Sequence, residues 1–328
     1  TLNIILPLGI SFYTFRTLSY LLDIKSRKIE PATDWVVFFS YIAFFPSLIS
    51  GPIDRPKTLI PQFESNRVFN PEQAADGLRQ ILWGLFKKIV IADNCATFTN
   101  DVFAHYHTLP ASALMFAMFL FTITVYAGFS GYSDMAIGLA SLLGFKITRN
   151  FNYTFFAQHI VEFWRRWHIS LTSLLTDYVF TPLSVYFRDH GKFGLILAIL
   201  VNFTLIGIWH GANWTFIAWG GWHGSLLAIE RLLHVKPGTP HSLFQRIGAT
   251  TATLVAVMLG WVMFRAQHIE NAMDFYKSMA GFNSIPISAS LHWQIKGLSL
   301  CALAAGIAVI FIQPYFSRYH HPVMLSKE

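Results

Sequence analysis

Acid–base chemistry in this chain starts from its histidines, of which there are 13. His210 stands out, because it closes one apolar stretch and opens another in the run Ile208-Trp209-His210-Gly211-Ala212-Asn213-Trp214. An ionisable side chain at membrane depth is expensive and by default marks a function. A neutral imidazole is also a good general base near neutral pH. Gly211 allows close approach and the flanking tryptophans give rigid walls. The plainer alternative is a packing histidine with one hydrogen-bond partner. His168 lies at the edge of an amphipathic stretch. His223 follows Gly220-Gly221; on a continuous helix it would sit about 220° round from His210, so the two share a site only if the glycines break the helix. His105, His107, His190, His234, His241, His320 and His321 read as loop or tail residues. Asp134, in an apolar context, must be paired or protonated. Its expected role, like that of Tyr132, is to shape a cavity through hydrogen bonds.

The element that must present His168 runs from Ile160 to Tyr178. At about 100° per residue, Ile160, Phe163, Trp164, Trp167, Leu171, Leu174, Leu175 and Tyr178 form one apolar face. Glu162, Arg166, Ser170, Ser173 and Asp177 form the opposite stripe. Such a helix lies in the membrane plane or caps a polar cavity. An interfacial anchor is the simpler reading, but Ser, Thr, Asp and Glu outnumber lysine on the polar face and suit a hydrogen-bonded cavity wall.

Composition says what these elements are dissolved in. Of 328 residues, 54% are hydrophobic and only 12% charged, about half the roughly 25% of a soluble domain. Apolar segments recur near 2–22, 35–50, 78–98, 112–129, 131–145, 193–210, 213–230, 247–264 and 297–316. A crossing needs about 20 residues, so the expected fold is an all-α, polytopic, multi-pass membrane domain spanning 1–328 without an internal boundary. Segment 35–50 is short and ends at Pro46 and Gly51-Pro52, as in a re-entrant helix. Segment 78–98 carries Lys87 and Lys88, which places part of it at an interface or along a cavity. Segment 266–296 reads as an outer excursion with a short helix near 270–280.

Loop charge gives the orientation. Loops 23–34, 146–166 and 231–246 carry Lys and Arg, whereas 99–111 and 282–295 have none. With the basic loops cytoplasmic and 35–50 dipping in and returning, the span 193–210 runs outward and His210 lies towards its outer end. The net charge of +7 fits basic loops beside anionic membrane lipid, and with no long basic block a nucleic-acid partner is not expected. Cys95 and Cys301 suggest neither a disulfide nor a metal site, and no metal is expected. The chain opens on Thr1 without a signal sequence, which reads as a fragment of a longer protein.

Several runs resemble the membrane-bound O-acyltransferase family, in its bacterial branch of alginate and peptidoglycan O-acetyltransferase membrane subunits. They are Pro7-Leu8-Gly9-Ile10-Ser11-Phe12-Tyr13-Thr14-Phe15, Phe129-Ser130-Gly131-Tyr132-Ser133-Asp134-Met135-Ala136-Ile137-Gly138, Glu162-Phe163-Trp164-Arg165-Arg166-Trp167-His168-Ile169-Ser170-Leu171, Trp209-His210-Gly211-Ala212-Asn213-Trp214 and Gly260-Trp261-Val262-Met263-Phe264-Arg265-Ala266. The resemblance implies tilted and re-entrant helices around a central tunnel, with N-terminal helices preceding Thr1. It implies His210 and His168 as the catalytic pair, acetyl-CoA as donor substrate without a separate cofactor, and a bacterial cytoplasmic (inner) membrane location. A polysaccharide or peptidoglycan acceptor and a periplasmic acetyltransferase partner protein follow in the same way. On that reading Arg165 and Arg166 hold the donor phosphates, and Trp209, Asn213, Trp214, Tyr132, Asp134 and Trp164 line the substrate tunnel. One run departs from the alginate-type pattern: Thr181-Pro182-Leu183-Ser184-Val185-Tyr186 stands where a Pro-Leu-Gly-Gly-Asn-Arg-like turn is usual. The competing class is a transporter with an intramembrane His/Asp proton relay, which would more often show inverted repeats.

Overall fold

The computed structural model describes residues 9–235, 242–283, 285, 297 and 300–309. The expectations touching 1–8, 236–241, most of 284–299 and 310–328 lie outside them. Among the described residues the regular elements are all helical, joined by turns and loops, with one isolated antiparallel bridge between Phe151 and Trp167.

Helix α1 (Ile10–Lys25) leads to α2 (Trp35–Ile42) and a tight turn at Phe45–Ser47. Eight residues rise only about 12 Å, so α2 enters the membrane without crossing it, as Pro46 and Gly51-Pro52 predict. Its broken end leaves carbonyls without helical partners. The buried Arg16 guanidinium of α1 donates to the carbonyls of Ile42 (3.3 Å) and Phe44 (3.2 Å) and to the Ser47 hydroxyl. The chain then returns through α3 (Pro56–Glu64).

Helices α4 (Pro71–Leu85) and α5 (Asp93–His105) are one rod interrupted by π-helical turns at Phe86–Ala92. There the buried Lys87 ammonium meets the carboxylate of Asp134 and donates to Ser130 Oγ at 3.0 Å, while Gln80 donates to Asp134 at 3.2 Å. Of the two states open to Asp134, the paired one is found. The rod lies against α6 (Ala111–Leu142) through glycines: a methyl group on Gly131 would stand 2.8 Å from the Gly84 carbonyl oxygen.

Helix α6 corrects the sequence reading. Segments 112–129 and 131–145 are not two elements but one helix of 32 residues. Ser130-Gly131 is a packing notch against Gly84 and not a break. At 1.5 Å per residue α6 is about 48 Å long against a hydrocarbon core of about 30 Å, so it tilts or protrudes. A single crossing is also what the Lys and Arg count requires between loop 99–111, which has none, and the basic loop 146–166.

The in-plane stretch begins with α7 (Ile160–Arg166), continues through α8 (Ile169–Leu175) and π-helical turns at Thr176–Phe180, and ends in α9 (Thr181–Tyr186). Then α10 (Gly191–His210) and α11 (Trp214–Leu232) form an antiparallel hairpin, followed by α12 (Leu243–Arg265) and α13 (Ile269–Met279). The helix expected near 270–280 is α13. Among the described residues three helical stretches are long and apolar enough to cross a membrane: Ala111–Leu142, Arg188–His210 and Leu243–Arg265. A short apolar helix at Leu300–Val309 completes the described chain.

Candidate active site

The expected continuous helix from Ile160 to Tyr178 is broken at Trp167-His168. Trp167 is extended (φ −105°, ψ 129°) and His168 is left-handed (φ 45°, ψ 52°). Non-glycine residues rarely take that conformation, and where they do the surroundings must enforce it. The enforcement comes from segment 150–154. Asn152 N–H donates to the Arg166 carbonyl (3.0 Å), and Ile169 N–H donates to the Asn150 carbonyl (3.0 Å). The Asn150 side chain completes the clamp: its Oδ1 accepts from the Ser170 hydroxyl (2.6 Å), and its Nδ2 donates to Ser133 Oγ of α6 (3.2 Å). Ser170 Oγ in turn accepts Ile53 N–H at 3.0 Å. At the other end of α7, the Glu230 carboxylate of α11 accepts the amides of Ile160 (2.7 Å) and Val161 (3.1 Å), a favourable charge at a helix N-terminus. His168 is thereby fixed in the protein interior at 4% exposure.

His210 is the last residue of α10. The chain reverses at Gly211–Asn213, where Asn213 Oδ1 accepts Thr215 N–H (3.2 Å) to start α11 and Nδ2 donates to the Gln267 carbonyl (2.7 Å). A methyl group on Gly211 would stand 2.7 Å from the Phe216 ring, so glycine is required for this tight return. The half-buried His210 ring packs edge-on against Trp209 (centroids 4.6 Å), Trp219 (5.2 Å) and Phe264 (4.9 Å). Trp209 also faces His168 at 6.1 Å, and Phe129 closes on His168 at 4.6 Å. The two imidazoles are within electrostatic reach of each other, so a proton on one opposes a proton on the other.

His223 joins this group, by a route the sequence reading did not foresee. Gly220-Gly221 does not break α11; the break lies earlier, at Gly211–Asn213, and the hairpin folds His223 back. Its ring meets Trp219 and Trp164, both at 5.1 Å. A methyl group on Gly260 would approach its Nε2 to 2.8 Å. Among the described residues, both His223 nitrogens, His168 Nδ1 and the indole nitrogens of Trp164, Trp209, Trp219 and Trp261 are buried without a hydrogen-bond partner. Buried polar groups are almost always satisfied, so this concentration is unusual. It gives several N–H donors and imidazole nitrogens in a dry aromatic setting, suited to moving a proton and to receiving charge on an oxygen atom.

The structure gathers His210, His168, Trp209 and Trp164, and adds His223, Trp219, Trp261 and Phe264. Trp219 and His223 stand at i and i+4 on α11, a spacing that alone would have put them on one face. Other residues expected near the tunnel lie elsewhere. Asn213 serves as the α11 cap. Trp214 is 74% exposed. Tyr132 is 42% exposed, with Lys88 5.8 Å from its ring. The interactions of Asp134 are with Lys87 and Gln80. Arg165 is exposed, while Arg166 is held by Glu162 (2.5 Å) and the Tyr153 carbonyl (3.3 Å). Among the described residues no three His, Cys, Asp or Glu side chains converge as a metal-binding group.

This architecture has recognised relatives. The model of the membrane-bound O-acyltransferase family matches residues 29–275. The chain is 37% identical to the probable alginate O-acetylase AlgI of Azotobacter vinelandii, over 98% of this chain and 63% of that protein. It is 35% identical to the peptidoglycan O-acetyltransferase of Helicobacter pylori over 88% of this chain and 59% of that one. Identity to the teichoic acid D-alanyltransferase of Bacillus subtilis is 28%, over 80% and 69%. The chain therefore belongs to the membrane-bound O-acyltransferase family. It spans about three-fifths of the length of its alginate-type relatives.

Proposed function

We propose that the protein transfers an acetyl group from cytoplasmic acetyl-CoA to hydroxyl groups of an exported polysaccharide or cell-wall polymer, in the bacterial inner membrane. The observation that carries this reading is the pair His168 and His210, set on either break of the helical frame and bridged by the Trp209 ring. Both ring contacts lie in an aromatic, water-poor setting, where acyl transfer to a hydroxyl can outcompete hydrolysis. The relatives, alginate and peptidoglycan O-acetylating proteins, suggest the acceptor classes.

In this scheme His210 takes the proton of the acceptor hydroxyl as its oxygen attacks the acetyl carbonyl carbon. The carbon–sulfur bond then breaks, and the departing thiolate recovers a proton. Charge on the carbonyl oxygen is met by N–H donors such as the Trp209 indole, which can donate but not accept. His168 orients the thioester. Arg165 is the better placed of the two candidate phosphate-binding arginines, since Glu162 neutralises Arg166. A periplasmic acetyltransferase partner would take the acetyl group onward where transfer is not direct.

The test uses the full-length protein in membranes with labelled acetyl-CoA. His210→Ala is expected to abolish acetyl transfer, and His168→Ala to reduce it by at least 100-fold, with both variants inserted normally. Unchanged thioester turnover in His210→Ala would overturn the assignment.

A further inference from the structure

Away from the histidines, a surface concavity lies where the α3–α4 connection meets the turn after α6. A cavity of about 370 Å³ is lined by Gln62, Ser65, Asn66, Arg67 and Lys146. A second, of about 170 Å³, continues from it, and the two share Arg67, Val68 and Gly144. The first part is polar and basic; in the second, Val68, Phe69, Leu142 and Leu143 form an apolar wall beside the polar Asn70, Gln73 and Ser141.

The polar half is built rather than accidental. The Gln62 side-chain amide pairs with the Lys146 backbone in both directions: Nε2 donates to the carbonyl (2.9 Å) and Oε1 accepts the amide N–H (2.8 Å). Arg67 lies over the Phe145 ring at 4.4 Å and donates to the Gln62 carbonyl at 2.5 Å. No carboxylate lines either cavity. Arg67 and Lys146 are both exposed, and neither has a carboxylate partner among the described residues.

The apolar half is exposed to an unusual degree. Val68 is 86% and Phe69 73% exposed, although they directly follow a charged residue in a connecting loop. Both lie on the face that bears the basic loops 23–34 and 146–166, where the inner leaflet presents anionic phosphates above acyl chains. We propose that this two-part cavity binds one anionic phospholipid, its phosphate on Arg67 and Lys146 and the upper part of its chains along Val68, Phe69 and Leu143. A soluble phosphorylated ligand would use the same cations but would leave Val68 and Phe69 without an apolar neighbour, so the lipid is the better fit.

The experiment measures lipid retained by the purified full-length protein, by native mass spectrometry, from nanodiscs of phosphatidylcholine with and without phosphatidylglycerol. The wild type is expected to keep phosphatidylglycerol in preference. At about five-fold per lost cation, Arg67→Gln and Lys146→Gln should each weaken retention about five-fold, and the double variant more than 20-fold. Phe69→Ser should weaken it as well. Arg79→Gln, which removes an exposed cation already paired with Asp76, should not. All four positions are exposed, and unchanged melting in lipid-free detergent verifies folding. Equal retention by the double variant overturns the proposal. So does displacement of the lipid by inorganic pyrophosphate together with indifference to Phe69→Ser, which would assign the site to a soluble phosphate.

Discussion

Removing the side chain of Asn150 tests the claim that the break at His168 is imposed from outside its own helix. Asn150→Ala deletes the acceptor of the Ser170 hydroxyl (2.6 Å) and Ser170 amide (3.3 Å) and the donor to Ser133 (3.2 Å). Hydrogen bonds inside membrane proteins average about 0.6 kcal/mol each, so three amount to about 2 kcal/mol, with about 1 kcal/mol more for the stranded Ser170 amide. Against a typical stability of 5–15 kcal/mol the protein should still fold, with a lower melting temperature. Catalysis is more sensitive. Without the clamp, Trp167-His168 can relax towards a regular helix, and a displacement of about 1 Å at a reacting group costs about 100-fold, equivalent to about 3 kcal/mol of barrier. The assay is acetyl-CoA thioester turnover by the full-length protein in membranes, beside detergent melting. The expected outcome is a loss of about 100-fold in kcat with KM little changed, partly restored in Asn150→Asp, which keeps the acceptor. Turnover within two-fold of wild type in a folded Asn150→Ala protein would refute the clamp.

Three further outcomes follow from the frame. Lys87→Met should strand the Asp134 carboxylate and destabilise the protein by about 3–5 kcal/mol, whereas Lys87→Met with Asp134→Leu should recover most of that loss, as read by a double-mutant cycle of melting in detergent. Gly131→Ala should force α6 off the α4 rod, because the added methyl would lie 2.8 Å from the Gly84 carbonyl oxygen; a cost of about 1–3 kcal/mol is expected, and Gly131→Val should express poorly. Asp54, in the return loop outside the spanning helices, is pushed up to about 6 by burial, against the opposing pull of its Thr148 hydrogen bonds and of Arg16. The folded state thus holds a proton that the unfolded chain releases near the ordinary carboxylate range. Its contribution is greatest below that range and is lost as pH rises to about 6, by roughly 3 kcal/mol at most. Melting measured from pH 4.5 to 7 should fall more for wild type than for Asp54→Asn, and parallel curves would exclude this group.

What the sequence made legible was whatever a local rule decides. Apolar length marked the helices Arg188–His210 and Leu243–Arg265 as long enough to cross a membrane, Pro46 with Gly51-Pro52 marked the end of the short α2 segment, and membrane cost made His210 a candidate. What it hid depended on distant partners. Ser130-Gly131 looks like the end of a segment until Gly84 is brought against it, and then it is a notch in one long helix. The break at His168 leaves no local mark, since neither Trp167 nor His168 is a helix breaker; Asn150, Asn152 and Ser170 make it, from a segment that reads as loop. His223 failed for a third reason. The angle computed from His210 assumed one continuous helix through Gly211, and the tight return against Phe216 invalidates that assumption while sparing Gly220-Gly221.

Several charges of the fold are matched away from the histidines: Lys87 by Asp134, Arg166 by Glu162, Arg55 by Asp177 at 2.7 Å, and Arg16 by the carbonyls of the broken α2. The side chains in ring contact with His168, His210 and His223 are all aromatic. On the proposed mechanism, a fixed carboxylate beside His210 would hold the imidazole in its charged form, and a fixed cation would repel the proton that a base must accept. With these charges paired away from it, the aromatic core presents His168, His210 and His223 to rings alone in their ring contacts.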